Sequence, residues 1–280
     1  MATVAEVKST MKSQWGSAAK GWDAWFEWYE RAFAPVIDWC CDAAALAPGM
    51  RVLDLACGSG QPALAAAARV APGRVTAIDL APEMVAVASR RAVERKVSNV
   101  EFLEMDAEDL RFPDATFDAV TCSYVLMFCP DPVRAVSEAR RVLKPGGRFT
   151  CVVWDHPSKS PMLTVAGQAV GQFFPPQPPQ PNAPHAFRFA EPGSLDAVLQ
   201  AAGLRDVGVE SVTMTTVLAS SDEYWQMFTE MAAGIKAKLA TMSPDDLARL
   251  RRIVDENVRP YMSDGVLKLN ATSFCGKGTK

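Results

Sequence analysis

The chain has 280 residues, 49% of them hydrophobic and 22% charged, with a formal net charge of −3. That is enough to bury one sizeable core with an appendage, and the slight acidic excess excludes a global electrostatic pull toward nucleic acid or an anionic membrane. The N-terminus has no apolar signal-like stretch and no run nears the roughly 18 apolar residues that span a bilayer, so a cytoplasmic protein without stable membrane insertion is expected.

Residues 1 to about 47 read as helical and aromatic, with Trp22, Trp25 and Tyr29 recurring at helical spacing. Pro35 is expected to start a second short helix. Arg51–Ala56 then reads as a buried parallel strand entering a glycine turn. A helix over 61–70, a strand over 74–79, a helix from Pro82 and a strand over 100–105 follow. Residues 117–122 read as a fourth strand, Asp131-Pro132 as a helix start, Lys144-Pro-Gly-Gly147 as a turn and 148–154 as a fifth strand. This alternation predicts a parallel sheet covered by helices on both faces.

Beyond residue 156 the rhythm breaks. A short helix near 162–170 leads into Phe173–Pro181, whose prolines predict an extended loop. A helix over 194–202 should stop at Gly203, and 206–216 should be a strand. Ser220-x-x-Glu223 and Ser243-Pro244-x-Asp246 each signal a helix start. The first of these helices is expected to run through 224–238 with Met227, Met231 and Ile235 on one face. Residues 266–274 read as a last strand, antiparallel to 206–216. The division expected is a helical aromatic segment over 1–47, a core over 48–156, a proline-rich loop over 157–190 and the rest of the sheet with inserted helices over 191–280.

The chemistry concentrates where the strands end. In Val52–Gly60 a strand delivers the chain into glycines that let a ligand approach the backbone, and the following helix offers unpaired N–H groups. Asp54 can order that turn or meet an ammonium group. Asp79, closing the second strand, can accept both hydroxyls of a ribose, and Asp106-Ala107, after the third, can meet an adenine amino group. Gly58-Ser-Gly60-Gln-Pro-Ala63 also fits the nicotinamide dehydrogenase pattern. Against that reading stand the acid inside the strand, Asp54, and the Lys144–Gly147 turn, which has no dinucleotide role. Seven cysteines without C-x-x-C spacing and only two histidines predict buried reduced thiols and no metal site.

Five stretches in order, VLDLACGSG (52–60), AIDLAPEMV (77–85), MDAEDLRFPDATFDAV (105–120), SYVLMFCPDP (123–132) and EARRVLKPGGRF (138–149), carry a resemblance. The chain resembles the class I S-adenosylmethionine (SAM)-dependent methyltransferases, and among them the ubiquinone/menaquinone-biosynthesis C-methyltransferase branch and its small-molecule relatives. The resemblance implies a Rossmann-like, doubly wound α/β fold: a mostly parallel seven-stranded sheet with an antiparallel last strand and helical lid additions. It implies that Asp54, Ala56, Gly58, Ser59 and Gly60 surround the amino-acid end of SAM, with Ser123 near its amine. Asp79 would hold the ribose, Leu80 and Met84 would flank the adenine, and Asp106 and Ala107 would bind its edge.

Methyl transfer from a sulfonium is an in-line displacement, so the protein must align the acceptor and exclude water. A base is needed only if the acceptor must lose a proton. His156, just past the fifth strand, and Tyr124 are the candidates to touch the reacting acceptor, and Trp22 to close over the donor. Tyr124, Met127, Phe128, Trp154, His156, Met227 and Met231 are expected to wall a pocket for a small, largely apolar acceptor that is aromatic, quinone-like or polyketide-like, methylated at carbon or oxygen. Methylation of nitrogen, sulfur or lipid, and a non-catalytic SAM-binding accessory role, remain alternatives, and a homodimer remains open.

Overall fold

The computed structural model describes residues 3–174 and 183–280; Pro175–Pro181 of the expected extended loop lies outside the described residues. Five strands, β1 (Arg51–Leu55), β2 (Arg74–Asp79), β3 (Val100–Glu104), β4 (Phe117–Ser123) and β5 (Leu143–Trp154), pair in parallel in the order β3-β2-β1-β4-β5. Two long strands complete the sheet: β6 (Arg205–Leu218) forms the edge, and β8 (Val266–Thr279) lies between β5 and β6, antiparallel to both. The expected seven strands are all present. An eighth, the two-residue β7 (Met262–Ser263), folds onto β8 across Asp264-Gly265. Both turn residues have positive φ, 54° and 79°, as a two-residue hairpin with right-handed strand twist requires.

The parallel strands are near-continuous apolar runs because helices cover both faces. Val52, Leu53 and Leu55 of β1 are wholly buried. Helices α3 (Gln61–Val70), α4 (Pro82–Glu94) and α5 (Pro132–Val142) are the crossovers, the last capped by Asp131, whose side chain accepts the Arg134 amide at 2.9 Å. Lys144–Gly147 is less a free turn than a bulge at the start of β5: the register with β4 jumps between Phe117 and Ala119.

Two helix boundaries differ from expectation. The N-terminal segment breaks at Trp25, into α1 (Val4–Ala24) and α2 (Phe26–Ala43), and Pro35 lies inside α2. Pro35 and Arg31, whose carbonyl loses its partner, are both exposed, which lowers the cost of the lost bond. The helix expected over 224–238 is broken at Ala232 into α8 (Ser221–Met231) and α9 (Ala233–Leu239). The break is held from outside. Trp22 Nε1 donates to the Met231 carbonyl at 3.0 Å, and Trp25 Nε1 to Glu230 Oε2 at 2.7 Å. Ile235 therefore leaves the stripe of Met227 and Met231. The remaining helices are α6 (Pro161–Gly171), α7 (Ser194–Ala201), closed by Gly203 at φ 81°, and α10 (Pro244–Val258).

Strand order reverses at β1, whose neighbours are β2 and β4. In open α/β sheets a ligand crevice lies beyond the carboxyl ends of the strands at such a switch point. Helix α1 crosses this end of the sheet and packs on α4, α8 and α9.

Candidate functional site

A cavity of about 530 Å³ opens where β1, β2 and β4 end. Its floor is the glycine turn. The backbone turns left-handed at Ala56 (φ 53°), Gly58 (φ 53°) and Gly60 (φ 98°), while the Cys57 amide still bonds the Ile78 carbonyl at 2.8 Å. Asp79 ties the turn down: Oδ2 accepts the Gly58 amide and Oδ1 the Ala81 amide, each at 2.9 Å. Burial pushes its carboxyl up from the ordinary range, against those amides. A Cβ on Gly58 would meet only open space. On Gly60 it would press on the Ala88 Cβ at 3.0 Å, so that glycine lets α3 approach α4 and does not face the cavity.

Among the described residues, two polar atoms at the strand ends are buried without a hydrogen-bond partner, Asp54 Oδ2 and Ser123 Oγ. Asp54 stands one layer behind the cavity wall, 1% exposed, its other oxygen accepting from Thr121 Oγ1 at 2.7 Å. Burial pushes its carboxyl up to about 7, with Thr121 opposing and Asp79 adding to the rise.

Along one side, Lys8 of α1 reaches down to Asp106 Oδ2 (2.6 Å) and Glu108 Oε2 (2.7 Å). Its ammonium is held above the ordinary range, the two carboxylates outweighing the cost of burial. Asp106 also accepts the Glu108 amide at 2.9 Å.

The other side is apolar. Rings follow one another around it, with centroids 5.4 Å apart for Phe128 and Trp15, 6.3 Å for Trp15 and Trp22, and 5.1 Å for Trp22 and Tyr29. The run continues at 4.2 Å from Tyr29 to Phe33, 5.6 Å from Phe33 to Tyr124 and 4.3 Å from Tyr124 to Trp154. Met127, Met162, Met227 and Met231 fill between them.

A model of the methyltransferase domain family matches residues 53–151. A demethylmenaquinone methyltransferase of Symbiobacterium thermophilum is 43% identical over 107 residues, 38% of this chain and 43% of that protein. A ubiquinone/menaquinone biosynthesis C-methyltransferase of Brucella anthropi is 44% identical over 109 residues, 38% of this chain and 41% of that one. The chain thus spans less than half the length of these relatives. In fold it resembles the YcgJ protein of Bacillus subtilis, with a TM-score of 0.59 at 22% identity over 88% of this chain and 98% of that one. The antiparallel strand between β5 and β6 also separates this sheet from the all-parallel 3-2-1-4-5-6 order of the dinucleotide-binding fold. By the family match, residues 53–151 belong to the methyltransferase domain family.

The residues around this cavity fit a nucleoside with an amino-acid tail. Open space over Gly58, a buried carboxylate with accepting capacity at Asp79, and the orphaned Ser123 oxygen are features that such a ligand relieves, with the Asp54 oxygen one layer behind them. Of the residues expected around the donor, Ala56, Gly58, Ser59, Asp79, Leu80, Met84, Asp106, Ala107, Ser123 and Trp22 line the cavity; Asp54 and Gly60 do not. Of those expected around the acceptor, Tyr124, Met127, Phe128, Trp154, Met227 and Met231 line it.

His156 is the clear correction. It is exposed and off the cavity wall, accepting the Ser158 amide through Nδ1 at 3.2 Å as the cap of the 157–159 turn. The turn follows from Asp155, buried and paired with Lys159 at 2.9 Å, which directs the next side chain outward.

Lys8, Trp15, Tyr29, Phe33 and Met162 line the cavity without having been expected at the site. For Tyr29 and Phe33 a signal existed, the four-residue spacing that continues the face of Trp22 and Trp25. Lys8 and Met162 belong to the site only through tertiary packing.

Proposed function

We propose that this chain transfers a methyl group from SAM to a small, largely apolar acceptor, aromatic, quinone-like or polyketide-like, at carbon or oxygen. The observation that carries the reading is the continuity of one cavity from the glycine turn to the ring-lined chamber. The bound donor supplies an electrophilic methyl group on a sulfonium.

The protein's own part is positional. Asp79 is the group to hold the ribose, and Leu80 and Met84 the sides of the adenine. Asp106 is the group for the adenine edge, where Lys8 already occupies one of its oxygens. Ser123 is the acceptor for the amino-acid end, and Asp54, one layer behind the wall, acts on that end through its charge. The aromatic chamber removes water from the methyl group's path and holds a flat acceptor against it, which raises the local concentration of reacting partners. Rings near a sulfonium also stabilise it through their π faces. The charged side chains Lys8, Asp79, Asp106 and Glu108 line the donor half, while the acceptor half is rings and thioethers. That division favours an acceptor that arrives already nucleophilic, such as an electron-rich ring or a phenolate. The names of the relatives point the same way, toward the quinone-like end of the class.

The test is incubation of the purified protein with methyl-labelled SAM and a panel of phenols, hydroquinones, amines and thiols. Label on an aromatic carbon or oxygen is expected. Label only on amines or thiols would move the acceptor to another class, and tight SAM binding with no transfer would make the chain an accessory protein.

A further inference from the structure

In the acceptor chamber Tyr124 stands apart. Its backbone is left-handed, φ 58°, a conformation that is costly for a bulky residue and persists where surroundings enforce it. Its ring is locked between Trp154 and Phe33. Its hydroxyl lies 2.7 Å from Ser273 Oγ, on β8.

The proton count of that pair is informative. Two hydroxyls share one hydrogen bond, so one proton is left over. Ser273 is wholly buried, and among the described residues Tyr124 is its hydroxyl's one partner. If Tyr124 donated, the Ser273 proton would be stranded where no water reaches, at the full cost of an unmade bond. Ser273 therefore donates to Tyr124, and the phenol proton is the one unspent. Tyr124 is the member of the pair that borders the cavity. Burial holds its phenol above the ordinary range, so the proton stays on the oxygen.

We propose that Tyr124 donates this proton in a hydrogen bond to an oxygen carried by the methyl acceptor, making a ring-borne hydroxyl, phenolate or carbonyl a requirement for tight binding. The inference rests on the reading of the chamber as the acceptor site. Ser273 is a positioning residue: it fixes the phenol's rotation by filling one of its lone pairs. Trp154 sets the plane in which a flat acceptor lies.

The test uses the full chain, 2-naphthol and naphthalene as matched probes, and quenching of tryptophan fluorescence, with and without S-adenosylhomocysteine. The wild type should prefer 2-naphthol by roughly two- to tenfold, the range of one neutral hydrogen bond. Tyr124→Phe should bind the two probes equally. Ser273→Ala should keep part of the preference, because the phenol proton is still there. Equal binding of both probes by the wild type, or a preference that survives in Tyr124→Phe, overturns the proposal. So does an equal loss in both variants, which would mark the pair as a structural bond only. Failure of S-adenosylhomocysteine to bind would count against the methyltransferase reading instead, since the preference for 2-naphthol is measured without it as well.

Discussion

Asp79 accepts the Gly58 amide at 2.9 Å, so the carboxylate at the end of β2 holds the turn that ends β1. The same oxygen pair has lone pairs left for a diol. Asp79→Asn keeps one carbonyl acceptor for the turn and loses the charge. It should weaken SAM binding by about 1.5–3 kcal/mol, roughly ten- to a hundredfold, the range of hydrogen bonds to a charged group. Calorimetric titration with SAM reads this directly; unchanged affinity would remove Asp79 from the ribose.

Asp54 gives a pH signature. Burial raises its carboxyl to about 7 in the fold from an ordinary value of 3.8. The native state therefore holds a proton that the unfolded state has lost, and stability falls as pH rises through that window and levels off above about 7. The wild-type melting temperature should drop between pH 5 and pH 8, and Asp54→Asn should flatten the slope. A cationic amine near Asp54 favours its ionised form, so SAM affinity should rise from pH 5.5 to 7.5 in the wild type and much less in the variant. Parallel profiles for both proteins would separate Asp54 from the donor's amino end.

Helix α1 meets α8 backbone to backbone at Gly21. A Cβ there would stand 2.1 Å from the Glu230 carbonyl oxygen. Gly21→Ala must push the helices apart and disturb the Trp22–Met231 bond beside it. A loss of about 1–3 kcal/mol in denaturant unfolding is expected, typical of overpacking, with faster proteolysis of the first 25 or so residues. Unchanged stability would mean that α1 does not sit this closely.

His156→Ala should leave turnover and its pH profile as they are, because the ring caps a surface turn. The expected cost is stability alone, about 0.5–1 kcal/mol. A lost limb in the pH–rate profile would restore the histidine as a base.

Much of this was legible in the sequence. Strands β1, β2 and β4 announce themselves as apolar runs carrying Asp or Ser at or next to their ends, and the motifs in register mark residues that line the cavity. The Met227–Met231 face was legible too, but its end was not, since the break at Ala232 depends on Trp22, some two hundred residues away. His156 misled because proximity to a strand end gives depth and not direction; the pairing of Asp155 with Lys159 sets the direction. Gly60 looked like a ligand glycine, yet the contact that needs it is Ala88. Local pattern reports the element, and side chains arriving from distant elements decide where it faces.

The placement of β8 has a consequence for how the chain assembles. Before residues 266–279 are available, β5 presents a bare margin and β6 has no neighbour to bond. A fragment stopping near residue 218 would carry two unsatisfied ladders side by side, the condition under which sheets recruit other molecules. Forms of this protein shortened before residue 266 should therefore be recovered as aggregates.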